Sequence, residues 1–257
     1  MTLSGRTILV TGGSSGIGLA LAERLSALDA RVLLCGRTEA TLRDAQARVP
    51  GSVYLVADVA DDADRRRLLA WVEADHPDLS VLVNNAGIQR LADVRDGPDA
   101  LSTGEIAVNL EAPLRLTALF MPRLLALAER GRPAAVVNVT SGLGYVPLAT
   151  SPVYSATKAG LQAFTRALRV QLRGTGVRVV DLAPPAVDTP LLRGAGGVPE
   201  DGKGGPPVIE PEEFARKAVR ALEKGETEIR VGGAQLLYVL GRLAPRSAVG
   251  LLARLAS

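Results

Sequence analysis

Short apolar runs alternate with longer amphipathic stretches along most of the chain. Residues 6–11, 31–36, 53–56, 81–83 and 134–140, and a segment within 176–183, are runs of strand length rich in valine, leucine and isoleucine. Between them the apolar positions change to helical spacing, as in the stripe Leu19, Leu21, Ala22 and Leu25. Helices are predicted over 38–47 with Thr38 as N-cap, and over 61–74, 101–130, 153–173 and 211–224. Pro113 and Pro122 fall inside 101–130 and predict irregularities there. Residues 228–231 predict a last short strand. Apolar strands regularly alternating with helices predict an α/β fold, a parallel sheet covered on both faces.

Two segments depart from this rhythm. Residues 194–207 are rich in glycine and proline and poor in apolar side chains, which predicts a mobile surface loop beside the substrate, near 191–207. From Gln235 onward, Leu236, Leu240 and Leu243 and then Leu251, Leu252 and Leu255 predict two short amphipathic helices broken at Pro245. Packing on the same domain or on a second subunit is the expected use of this tail, ahead of a membrane surface. No interdomain linker is visible, so residues 1–257 are read as one domain.

Composition narrows the functions. The chain has 257 residues, 47% of them hydrophobic, and a net charge of only +3. Its dense basic run, Arg65-Arg66-Arg67, lies in a stretch that reads as the outer face of a helix and has no interleaved aromatics, so no nucleic-acid partner is expected. The single Cys35 allows no internal disulfide, and no metal-ligand pattern is present. The single His76 is expected at the surface, in a loop leaving a helix. The first residues carry no leader-like segment and no apolar run is long enough to cross a bilayer, so the expected location is cytoplasmic.

Candidate chemistry begins at the first turn. Thr11-Gly12-x-x-x-Gly16-x-Gly18 follows a strand and opens a helix. Gly12 permits a tight turn. Gly16 and Gly18 let a pyrophosphate approach the backbone and let helix and strand pack closely. The helix N-terminus, with Ser14, Ser15 and Ile17, offers N–H groups to phosphate. At the end of the second strand an acid would accept hydrogen bonds from the 2′-hydroxyl of NAD, but this chain has Gly36-Arg37. A guanidinium there suits a 2′-phosphate, so NADP(H) is expected in preference to NAD(H). Asp58, followed by Val59, is placed either to accept from an adenine amino group or to cap the next helix.

Tyr154 and Lys158 lie one helical turn apart on one face, a phenol with a cation to tune it. Only four lysines occur, against many arginines, which singles out Lys158. Alone, this pair would equally be a half-buried aromatic and a solvated neighbour.

Together, Thr11-Gly12-x-x-x-Gly16-x-Gly18, Asn84-Asn85-Ala86-Gly87, Asn109, Ser141 and Tyr154-x-x-x-Lys158 resemble the classical short-chain dehydrogenase/reductase family, over roughly 7–189. The resemblance implies a single-domain, doubly wound Rossmann fold of about seven strands, hydride transfer with NAD(P), a small carbonyl or alcohol substrate, and a homodimer or homotetramer. It implies that Tyr154 is the general acid/base, that Ser141 hydrogen-bonds the substrate oxygen, and that Lys158 lowers the tyrosine pKa and binds the nicotinamide ribose. Asn109 would hold a water that links Lys158 to solvent. Asn85, Ala86 and Gly87 would line the cofactor, and Pro184, Val187 and Thr189 would lie near the nicotinamide. The family's usual Pro-Gly is replaced by Pro184-Pro185, so this turn is expected to differ locally. That pair, Cys35-Gly36-Arg37 and the stretch beginning Lys224-Gly225 resemble the DltE-like branch. A non-catalytic NADP(H)-binding sensor or scaffold is the alternative, and an epimerase or dehydratase using the same Tyr-x-x-x-Lys is a more distant one.

Overall fold

A computed structural model describes residues 2–101, 103–195 and 207–255. Among them seven strands form one parallel sheet: β1 (Thr7–Thr11), β2 (Arg31–Gly36), β3 (Val53–Val56), β4 (Leu79–Asn84), β5 (Ala134–Val139), β6 (Val177–Ala183) and β7 (Glu228–Arg230). Their order is β3-β2-β1-β4-β5-β6-β7. The direction of winding reverses between β1 and β4, which opens a crevice at the carboxyl ends of these strands.

The helices are α1 (Gly16–Ser26), α2 (Glu39–Arg48), α3 (Asp62–Asp75), α4 (Thr103–Ile106), α5 (Ala112–Glu129), α6 (Pro152–Gln171), α7 (Pro190–Gly194), α8 (Pro211–Glu223), α9 (Gly233–Leu243) and α10 (Pro245–Leu255). Alternate strand residues serve opposite faces. Ile8, Val10, Leu34, Val83 and Val137 pack under α1 and α8 with Leu21, Leu25, Phe214 and Val219. Leu9, Leu33, Leu82 and Val136 pack under α3 and α5 with Leu68, Val72, Leu116 and Phe120. Burial on both faces explains why these strands read as continuous apolar runs. A third, small cluster joins Val146 to Ala248 and Leu252, so α10 covers the loop after β5.

The predicted helix over 101–130 is two helices with a π-helical segment, Ala107–Glu111, between them. Pro113 lacks the N–H that would bond to the carbonyl of Asn109, and Ala112 N–H bonds instead to Ala107. Pro122 is absorbed within α5. Two surface expectations are corrected. Arg65 is buried, because its guanidinium turns inward to the Val59 carbonyl at 2.7 Å and to Asp62 at 3.2 Å; Arg66 and Arg67 stay outside. His76 is also buried, with its ring 4.5 Å from that of Trp71 in an edge-to-face contact. Burial and the nearby Arg31 lower its pKa. The expected loop over 194–207 lies outside the described residues from 196 to 206. Among the described residues no helix is long and apolar enough to cross a membrane, and no group of potential metal ligands occurs.

Candidate active site

The crevice is a cleft of about 370 Å³ that reaches from Arg37 to Lys158. It begins at the β1–α1 turn. Gly12 has φ +63°, and a Cβ on it would lie 2.8 Å from the Ala86 Cα. A Cβ on Gly18 would fall 2.2 Å from the Gly12 carbonyl oxygen. Gly18 is therefore required for contact between helix and turn, whatever lies in the cleft. Ser15 occupies the N-cap without a side-chain hydrogen bond, and the first turn of α1 has no acid. Its N–H groups and partial positive charge are left available to an anion.

Gly36, Arg37, Thr38 and Thr41 form the next wall, with Asp58 and Val59 opposite. Arg37 is exposed and makes no ion pair among the described residues. Glu39, the nearest acid, is held by Arg43 at 3.1 Å. Asp58 accepts from the Ala60 N–H at 2.9 Å, while its own N–H donates to Asp64 at 2.7 Å. The cap of α3 is Asp61, which accepts from the Asp64 N–H, so the capping alternative for Asp58 does not hold. Thr38 stands at the N-cap of α2 but makes no capping bond with its side chain.

The floor comes from the end of β4. Asn85 donates its amide to the carbonyls of Thr11 at 2.9 Å and Gly12 at 3.1 Å, and the Thr11 hydroxyl accepts from the N–H groups of Asn85 and Ala86. These bonds brace β1 against β4 under the cleft. Gly87 lies between two further candidates: a Cβ there would be 3.4 Å from Asn109 Oδ1 and 3.7 Å from Lys158 Nζ. Asn109 is fully buried and clamps Ile88, accepting from its N–H at 2.9 Å and donating to its carbonyl at 2.8 Å.

At the inner end, α6 carries a buried polar stripe against β5 and β6. Lys158 donates to the Val139 carbonyl at 2.9 Å, Gln162 to the Ser141 carbonyl at 2.9 Å, and Thr165 accepts from the Asn138 amide at 2.9 Å. Spacings of four and three keep these on one helix face. The stripe fixes Ser141, whose hydroxyl accepts from the Leu143 N–H at 3.1 Å and lies beside Tyr154. Burial pushes the Tyr154 phenol up to about 12, partly opposed by the neighbouring Ser141 hydroxyl. Burial brings the Lys158 ammonium down to about 8, partly opposed by Asp181. Lys158 is 5.6 Å from the centre of the Tyr154 ring. In the free protein, then, burial outweighs any lowering of the tyrosine by Lys158, contrary to the direction expected with cofactor present.

The cleft is lined by Gly12, Ser14, Ser15, Ile17, Gly18, Arg37, Asp58, Val59, Asn85, Ala86, Gly87, Tyr154, Lys158, Pro184 and Thr189 among the residues expected from sequence. Four others are placed differently. Gly16 lies beside Thr189, Asn109 behind Gly87, and Ser141 beside Tyr154. Val187 turns into the core and its backbone bridges Ile209. The Pro185 ring faces Gly232 and Gly233, so the unusual Pro-Pro turn meets the start of α9. Thr38, Thr41 and Thr140 are wall residues not anticipated. The first two are three apart at the start of a predicted helix, and the third precedes Ser141, so their spacing was a usable signal.

An extended cleft with an uncapped helix start, an unpaired guanidinium and a buried lysine fits a dinucleotide. The short chain dehydrogenase family profile matches residues 6–196. An uncharacterised oxidoreductase, DltE of Bacillus subtilis, is 44% identical over 234 residues, covering 89% of each chain. A short chain dehydrogenase from Burkholderia cenocepacia, crystallised with NADP, superposes with a TM-score of 0.81 at 29% identity over 100% of both chains. A short-chain dehydrogenase from Sphingobium yanoikuyae, crystallised with NADPH, gives 0.76 at 26% identity, covering 96% of this chain and 95% of that one. The chain is thus an oxidoreductase of the short-chain dehydrogenase family and belongs to its DltE-like branch.

Proposed function

We propose that the protein is an NADP(H)-dependent oxidoreductase interconverting a carbonyl and a secondary alcohol, with Tyr154 as general acid/base. The observation that carries this reading is the meeting of Tyr154 with the Ser141 hydroxyl at the end of a cleft whose opposite end holds Arg37. The bound nicotinamide supplies or takes the hydride.

The protein's own residues do the rest. The first turn of α1 binds the pyrophosphate through N–H groups. Arg37 pairs with the 2′-phosphate, unopposed by Glu39, which Arg43 holds. Lys158 holds the nicotinamide ribose. Ser141 and Tyr154 both direct hydroxyls at the substrate oxygen. With its pKa pushed up, Tyr154 carries its proton at neutral pH, which is the form that donates to a carbonyl oxygen. Asn109, within the π-helical segment that ends just before Pro113, connects Lys158 to solvent through water. Leu143 and Leu148, half-buried on the loop after β5, offer an apolar side in keeping with an uncharged ketone or aldehyde, whereas Val146 is buried under α10 and Tyr145 turns its hydroxyl to Asp181.

The experiment is a panel of aldehydes, ketones and secondary alcohols assayed with NADPH and NADH in parallel. Carbonyl-dependent oxidation of NADPH supports the reading. Tight NADPH binding with no turnover on any carbonyl or alcohol would replace it with the non-catalytic binding protein.

A further inference from the structure

Asp181 is the one acid in β6 (Val177–Ala183), an otherwise apolar strand apart from the exposed Arg178. It is 4% exposed. One carboxylate oxygen accepts from the Thr140 hydroxyl at 2.5 Å and the other from the Tyr145 hydroxyl at 3.4 Å. Arg230 stops one group short: its Nε donates to the Tyr145 oxygen at 3.2 Å, and its guanidinium pairs with Glu228. Lys158 is 3% exposed, and its Nζ donates to the Val139 carbonyl. Among the described residues neither Asp181 nor Lys158 has an ion-pair partner in direct contact. Yet the two are joined through consecutive residues, since Lys158 holds the carbonyl of Val139 and Asp181 holds the side chain of Thr140.

Linked through adjacent residues in this way, a carboxylate at Asp181 offsets part of the lost hydration of the Lys158 ammonium, while burial raises the Asp181 carboxyl itself and Thr140, Arg230 and Arg169 oppose that rise. We propose that Asp181 is the counter-charge that keeps Lys158 protonated, acting through its field and not by contact with substrate or cofactor. It is thus a positioning residue. That Lys158 must be an ammonium to serve the site rests on the function proposed above; the coupling of the two charges does not. Burial has already lowered Lys158 to about 8, with Asp181 opposing that fall, so loss of the carboxylate moves the lysine further toward neutrality. The other charges nearby act elsewhere. Glu105 of α4 acts on Tyr154, the acid/base on α6 itself. Arg230 and Glu228 of β7 and Arg169 of α6 act on Asp181.

Only four lysines occur, so carbon-13-labelled lysine gives a spectrum of four resonances, with Lys158→Met identifying that of Lys158. In Asp181→Asn the titration midpoint of Lys158 is expected to fall below that of the wild type, while those of Lys217 and Lys224 stay. An unmoved Lys158 midpoint overturns the proposal. Tyr145→Phe disturbs the same cluster but keeps the charge; a displacement as large as that in Asp181→Asn would assign the effect to packing and also overturn it. If Asp181→Asn does not fold, the wild type carries the test: the Lys158 resonance must show a second inflection in the acid range as Asp181 takes its proton, and a flat response there overturns the coupling. NADPH binding against pH is read alongside. A binding limb that moves with the lysine midpoint supports both readings. A moved midpoint with an unmoved limb contradicts the role of Lys158 on the cofactor and leaves the coupling standing.

Discussion

The Lys158 ammonium stands 5.6 Å from the centre of the Tyr154 ring and donates to the Val139 carbonyl, not to the tyrosine hydroxyl. The two side chains are neighbours on α6, but before cofactor binds each is governed by its own burial. Lys158 falls to about 8 and Tyr154 rises to about 12. This has a consequence for stability. The folded pKa of Lys158 is below its unfolded value of 10.5, so at lower pH the fold carries the cost of a buried ammonium. Stability should rise between about pH 8 and 10.5 as that proton leaves. Lys158→Met should remove this rise, on the order of 3 kcal/mol at about 1.4 kcal/mol per unit. Urea denaturation across this range measures it; an equal rise in the variant would contradict the burial argument.

Arg37 gives a cofactor prediction. Arg37→Ala should weaken NADPH about ten- to a hundred-fold, the range of one or two charge-assisted hydrogen bonds, and leave NADH nearly unchanged. Paired fluorescence titrations decide it. Equal losses for both cofactors would mean that Arg37 does not read the 2′-phosphate.

Gly18→Ala tests the turn. Its Cβ would meet the Gly12 carbonyl, which is backbone, at 2.2 Å and the Asn85 side-chain amide, which is tied to the Thr11 and Gly12 carbonyls, at 2.4 Å. Displacing them should cost about 1–3 kcal/mol of stability and weaken cofactor binding. Thermal unfolding with and without NADPH separates the two effects. A variant with wild-type Tm and affinity would show that the turn is looser than this geometry implies.

The alternation of strands and helices, the glycine turn and the placing of Tyr154 and Lys158 one turn apart were legible in sequence because each leaves a local pattern: buried runs, glycine spacing, one helical turn. Long-range partners were not. Arg65 in a charged triplet looks solvated, and nothing nearby in sequence announces the Val59 carbonyl that draws it inward. His76 read as a surface loop residue, although Trp71 five positions earlier supplies the ring that buries it. Asp181 drew no expectation from sequence, because its partners Thr140 and Tyr145 lie about forty residues away. The π-helical segment was foreshadowed by Pro113, whereas the clamp of Asn109 on Ile88 depends on how that segment meets the loop after β4.

The central claim is that the Tyr154 phenol is the proton donor of a carbonyl reduction. It is tested most directly with Tyr154→Phe, which removes one oxygen and keeps the ring. NADPH affinity should stay within about two-fold of the wild type, since no hydrogen bond to the pyrophosphate or 2′-phosphate is lost, while turnover of any carbonyl substrate found should be abolished. Full turnover in that variant would contradict the account.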